Sequence, residues 1–111
     1  MLNTQISKLS TKPASSQCWQ LIEEGATVID VRSPQEFASG HLPQAINVPL
    51  DNLNKLDTWL HKVENRQQVF VLYCGAGIRA QKGCDILTAN GLECVINGGA
   101  LKDLLGCQPK R

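Results

Sequence analysis

Six consecutive residues carry the clearest chemical potential of the chain: Cys74, Gly75, Ala76, Gly77, Ile78 and Arg79. They follow VFVLY at 69–73, its most apolar run. Two glycines let the backbone curl tightly around one point. Successive N–H groups then face inward and form a small anion nest, and a helix starting after the loop adds its positive N-terminal end. Such surroundings bring a cysteine pKa from about 8.5 down to roughly 3.5–7.5. Each unit of lowering reflects about 1.36 kcal/mol of preference for the charged form. A thiol ionised at neutral pH is a ready nucleophile. The plain alternative, a buried core cysteine, is weakened by the position of Cys74 between a strand and a Gly-x-Gly turn. The Gly75-x-Gly77 pair alone is a weak signal. It lacks the third glycine of a dinucleotide fingerprint and the Gly-Lys-Ser/Thr of a phosphate-binding Walker loop.

The elements that must position this loop alternate. QISKLS at 5–10 reads as a short edge strand closed by Pro13. SSQCWQLIEEG reads as a helix, with Ser15 or Ser16 as cap and Gly25 in the left-handed position after its end. TVIDV at 27–31 is a buried strand. Ser33, Pro34 and Glu36 form a capping box with proline at the first helical position, and Gly40 ends that short helix. AINVP at 45–49 reads as another strand. Leu53, Leu56, Trp59, Leu60 and Val63 recur at amphipathic helical spacing. The run at 69–73 suits a strand buried on both faces, as in the centre of a parallel sheet. A helix is expected from near Ile78 to Asn90, then a last strand at 93–96, a tight turn at Gly98 and Gly99, and a short terminal helix. The alternation predicts an α/β layered fold with a mainly parallel sheet. Ligands in such sheets sit beyond the carboxyl ends of the strands, where Cys74 lies.

With 111 residues the chain fits one domain. Its formal charge of +1 gives no field for nucleic acid and no polybasic patch for a membrane surface. No stretch approaches the roughly 18 apolar residues needed to span a bilayer. The five cysteines, Cys18, Cys74, Cys84, Cys94 and Cys107, are widely spaced and odd in number, poor material for a disulfide framework or a zinc site. They suit a reducing compartment, so a cytoplasmic location is expected. A cleaved leader would leave the same chain, which makes the periplasm the alternative.

Two segments resemble the rhodanese homology domain. VIDVRSPQEFASGHLPQAINVP at 28–49 is similar to that family's N-terminal signature, and CGAGIR at 74–79 to its six-residue active-site loop C-x-x-G-x-R. ECVINGGALKDL resembles its last strand with a Gly-Gly turn. The likeness covers about residues 5–105, and short single-domain members of the phage-shock type look most similar. It implies about five mostly parallel strands with helices on both faces. It implies that the Cys74 thiolate takes the outer sulfur of thiosulfate or another sulfane donor, and passes it from a persulfide to cyanide or a thiol. The amides of Gly75, Ala76, Gly77, Ile78 and Arg79 would cradle the developing charge. No metal or organic cofactor is implied. The implied partners are small sulfur anions and thiols, with a protein donor or acceptor as a further class. Asp30 and Arg32 are implied as an ion-pair scaffold beneath the loop.

Arg79 has two expected roles, attracting an anionic donor or pinning the loop. Family members that use thiosulfate often carry a cation directly after the cysteine; here Gly75 and Ala76 follow, leaving Arg79 and Lys82 as the nearby cations. A bulkier persulfide donor is therefore a competing expectation. His41 reads as a turn element and His61 as solvated. Cys84 reads as packing, with a resolving redox role as the minor alternative. Trp19 and Trp59 read as core. Two other functions compete: a phosphatase or arsenate reductase on this fold, whose loop would be one residue longer, and a non-enzymatic binding module.

Overall fold

The computed structural model describes residues 14–53 and 68–109. The expected edge strand at 5–10, the helix beyond Leu53 and His61 lie outside them. The elements in chain order are α1 (Ser15–Glu23), β1 (Thr27–Asp30), α2 (Pro34–Ala38), β2 (Ile46–Asn47), α3 (Leu50–Leu53), β3 (Val69–Cys74), α4 (Ile78–Ala89), β4 (Cys94–Ala100) and α5 (Leu101–Gly106). The four described strands form one parallel sheet in the order β2-β1-β3-β4, against the five expected.

β3 is buried at every position and divides its side chains by strand period. Val69, Val71 and Tyr73 face a layer containing Trp19, Leu21, Ile22 and Leu104 from α1 and α5. Phe70, Leu72 and Cys74 face Leu53, Ala80, Cys84 and Leu87 from α3 and α4. Helices thus cover both faces. Each fully buried Leu, Val or Phe contributes about 1.5–3 kcal/mol, so these two layers hold the loop after β3 in place. Trp19 closes the first layer by donating its Nε1–H to the Leu104 carbonyl at 2.7 Å.

Several boundaries differ from expectation. The N-cap of α1 is Ala14, whose N–H donates to Gln17 Oε1 at 3.1 Å; neither Ser15 nor Ser16 caps it. The strand expected at 45–49 is paired only over Ile46–Asn47. The tight turn expected at Gly98 and Gly99 lies inside β4, which runs on to Ala100. Its extension pairs Cys74 with Ala100 after a register shift beyond Leu72. Gly98 is required by close packing, since a Cβ there would meet the Leu72 carbonyl oxygen at 3.0 Å and Val71 Cγ1 at 2.9 Å.

Candidate active site

Cys74 ends β3 and is 1% exposed. The chain leaves the strand through exposed Gly75 and Ala76 and turns into α4 at Gly77. Gly77 is the N-cap of α4 with φ of 91°, a left-handed conformation natural only to glycine. This turn directs two amides at the sulfur: the Gly77 N–H donates to Cys74 Sγ at 2.9 Å and the Ala80 N–H at 3.4 Å. Ala80 is the third residue of α4, so its amide is one of the first-turn donors without a carbonyl partner inside the helix. The sulfur thus takes the place an N-cap side chain normally fills.

Of the five amides anticipated, Gly77 reaches the sulfur; those of Gly75, Ala76, Ile78 and Arg79 make no hydrogen bond to it, and Ala80 is the donor that sequence reasoning missed. Ile78 is 69% exposed and points its apolar side chain outward.

Arg79 has neither a free guanidinium nor a simple solvated one. Its Nη1 donates to Glu36 Oε1 at 2.7 Å and its Nη2 to Glu36 Oε2 at 3.0 Å, a forked pair between α4 and α2. Of its two expected roles, the geometry is that of a pin. Glu36 also completes the capping box: its Oε1 accepts from the Ser33 N–H and its own N–H donates to Ser33 Oγ, both at 3.2 Å. The Arg79 guanidinium, with the Ser33 amide second, holds the Glu36 carboxyl down at about 2. The cap accounts for Glu36 from local sequence, and no local signal points to its second partner.

Asp30 and Arg32 form the expected ion pair, at 2.7 Å and buried. Asp30 also accepts from the Arg32 N–H at 2.9 Å, and Arg32 Nη2 donates to the Gly40 carbonyl at 2.7 Å. The guanidinium carbon lies 5.8 Å from the centre of the Tyr73 ring, and the Tyr73 hydroxyl accepts from the Leu42 N–H at 3.0 Å. The pair thus braces the chain around Tyr73, the residue before Cys74, and touches neither Gly75 nor Ala76. His41 stacks on Phe37 with ring centres 3.6 Å apart and hydrogen-bonds the Phe37 carbonyl through Nδ1 at 2.8 Å. That is a turn element, as expected.

Asn97 on β4 completes the surroundings of the loop. It is 3% exposed, and its Nδ2 donates to the Gly77 carbonyl at 3.2 Å. All five cysteines are free. Cys84 packs in the layer beneath Cys74, where burial pushes its thiol up to about 12. Two clefts flank the loop. One of about 260 Å³ is lined by Val31, Ser33, Pro34, Pro49, Leu50, Asp51 and Arg79. The other, about 380 Å³, is lined by Ala76, Gly77, Ile78, Gln81, Lys82 and Asn97. No group of three or more His, Cys, Asp or Glu fit to hold a metal occurs among the described residues. No helix among them is long and apolar enough to cross a membrane.

Comparison with known proteins agrees with this architecture. The chain is 33% identical over 76 residues to the thiosulfate sulfurtransferase PspE of Escherichia coli, covering 68% of this chain and 71% of that protein. It is 32% identical over 83 residues to a tRNA uridine(34) hydroxylase of Streptococcus thermophilus, and spans only 25% of that relative's length. Among solved structures, a rhodanese with anions from E. coli superposes with a TM-score of 0.64 at 32% identity, over 71% of this chain and 91% of that one. The human single-domain sulfurtransferase TSTD1 shares the fold with a TM-score of 0.73 at 22% identity, over 90% and 99%. The family model described as Rhodanese-like domain matches residues 14–103, and the chain belongs to that family.

Proposed function

We propose that the protein is a sulfurtransferase that carries sulfane sulfur as a persulfide on Cys74. The observation that carries this reading is the pair of amides, from Gly77 and Ala80, converging on Cys74 Sγ at the N-terminus of α4. With thiosulfate as the donor, the thiolate attacks its outer sulfur. A new S–S bond forms at Cys74, the bond to the inner sulfur breaks, and sulfite leaves with its electron pair. An acceptor thiolate or cyanide then takes the terminal sulfur and restores the cysteine thiolate. Atoms and electrons balance without an external oxidant or an added group. The two amides hold the negative sulfur before loading and share the persulfide charge after it. Asp30 and Arg32 support this site by fixing the strand end. Small sulfur anions and thiols are the assigned partners. The formal charge of +1 supplies no basic field for RNA. The six-position loop from Cys74 to Arg79 suits a single sulfur atom and not a phosphoryl group.

One observation bears on the donor. Arg79 is neutralised by Glu36, so it offers thiosulfate no free charge, and the flanking cleft presents apolar Ile78 beside Lys82. Both features favour an organic persulfide over a bare inorganic dianion. Comparing kcat/KM for thiosulfate and glutathione persulfide tests the donor; a large thiosulfate advantage refutes the organic choice. The reaction class is tested by mass spectrometry after incubation with a donor. Gain of one sulfur atom on Cys74, lost on adding cyanide and absent in Cys74→Ala, is the expected result. A protein that stays unmodified with every donor overturns the reading.

A further inference from the structure

The geometry points to Asn97 as the residue that positions the Gly77 amide on the reactive sulfur. Gly77 uses both peptide groups at the site: its N–H donates to Cys74 Sγ at 2.9 Å, and its carbonyl accepts from the Gln81 N–H at 3.1 Å, the first bond of α4, and from Asn97 Nδ2 at 3.2 Å. With no Cβ and φ of 91°, nothing intrinsic to Gly77 holds that conformation. The first bond of α4 fixes one side of its carbonyl, and the second restraint comes from outside the loop, from Asn97. Asn97 sits on β4, hydrogen-bonded to the strand that ends in Cys74, so it shares a rigid frame with the sulfur. Its own orientation is fully determined. Oδ1 accepts from the Gly99 N–H at 2.8 Å, and Nδ2 also donates to Gln81 Oε1 at 3.2 Å. A flipped amide would turn a donor toward the Gly99 N–H and an acceptor toward the Gly77 carbonyl. The residue is 3% exposed, and leaving such groups unpaired in a buried place is costly. Asn97 never touches the sulfur; it acts through the peptides of Gly77.

This inference rests on the reading of Cys74 as the sulfur carrier, and the experiment separates the two. Asn97→Ala removes every contact. Asn97→Ser keeps a short side chain that can turn back to the Gly99 N–H but is too short to reach Gly77. Both are expected to load Cys74 about tenfold more slowly than the native protein at saturating thiosulfate, because misplacing one charge-stabilising donor costs rate. The donor concentration giving half-maximal rate should change less than about twofold. Val28→Ala, a core truncation remote from the loop, should lose stability and keep the loading rate. Full rate in Asn97→Ala, or rescue by Asn97→Ser, would overturn the proposal. Two NMR readouts add to the rates: the first needs no variant, and the second needs no turnover. In the native protein, the Gly77 amide and the Asn97 side-chain amide signals should move together when Cys74 is loaded. In unloaded protein, the Gly77 amide should exchange at least about tenfold faster in Asn97→Ser, as expected when a hydrogen-bonded turn opens locally. A stationary Asn97 signal, or unchanged exchange in the serine variant, refutes the role. Failure of the native protein to accept sulfur from any donor would instead refute the reading of Cys74, and the exchange measurement would still decide the role of Asn97.

Discussion

Gly83 offers a way to move α4 without touching a polar group. It is buried against β3, and a Cβ there would stand 2.7 Å from Leu72 Cδ2 and 3.0 Å from Leu53 Cδ1, against 3.4 Å for ordinary contact. Leu72 would be about 0.7 Å too near and Leu53 about 0.4 Å. Both leucines are fully buried, so neither has open space to rotate into. Overpacking of this kind costs about 1–3 kcal/mol. Alanine in place of glycine inside a helix returns about 1 kcal/mol. Gly83→Ala should therefore lose about 1 kcal/mol net, a fall in Tm of roughly 4–8 °C for a domain of this size. The loop should feel it as well. Ala80 lies one turn before Gly83 on α4, and its amide is already 3.4 Å from Cys74 Sγ. Lifting the helix by a few tenths of an ångström weakens that contact, and sulfur loading should slow a few-fold. Gly106→Ala is the matched control. A Cβ there meets nothing within 4 Å, so its stability should hold or rise. Thermal unfolding of both variants, with loading followed by mass spectrometry, checks the argument. A Gly83→Ala protein that melts at or above the native Tm and loads at full rate would show that the leucines yield freely, and would refute the reasoning.

The other predictions concern charge and burial. Cys74→Ser should retain the fold and lose persulfide formation entirely, read as mass on the intact protein. Glu36→Gln should leave the core intact and free Arg79; its stability cost should stay under about 1 kcal/mol, since both partners are more than a third exposed. Because the Glu36 carboxyl is held near 2, the pair contributes above about pH 4.5 and is lost as pH falls toward 2. An acid titration of stability should therefore be flatter over that window in Glu36→Gln. On the alkaline side, burial pushes Cys18 to about 11 and Cys84 to about 12 from an ordinary value near 9. Above pH 9 the unfolded chain releases protons the folded one retains, so stability should fall with rising pH, less so in a Cys18→Ala/Cys84→Ala protein. A thiol reagent at pH 7 should modify exposed Cys107 and leave Cys18 and Cys84 untouched.

Local signals carried most of the architecture. The unbroken run at 69–73 marked the central strand, Ser33 and Glu36 marked the start of α2, and the six-residue spacing from Cys74 to Arg79 marked the site. What stayed illegible was contact between residues far apart in sequence. Nothing local ties Glu36 to Arg79, 43 positions away, or Asn97 to Gly77, 20 positions away. Those contacts exist because parallel pairing brings the ends of β1, β3 and β4 together, and register is set by whole strands. The Gly98-Gly99 pair misled in the opposite direction. Two adjacent glycines read as a turn, yet Gly98 answers the approach of β3, and the positive φ of Gly99 is absorbed within the strand. Ala80 was accessible in principle, as a first-turn amide of α4 without a carbonyl to bind.

The place of β4, outermost among the described strands and next to β3, has a consequence for a chain emerging from the ribosome. Until residues 94–100 have been made, β3 is an open edge whose backbone can pair with any passing strand, and VFVLY is among the least protected sequences to leave there. The thiol is synthesised some twenty residues before the strand that flanks it. Through that interval Cys74 lies next to an unpaired strand edge, and docking of β4 covers that edge and brings Asn97 to the Gly77 carbonyl in one step.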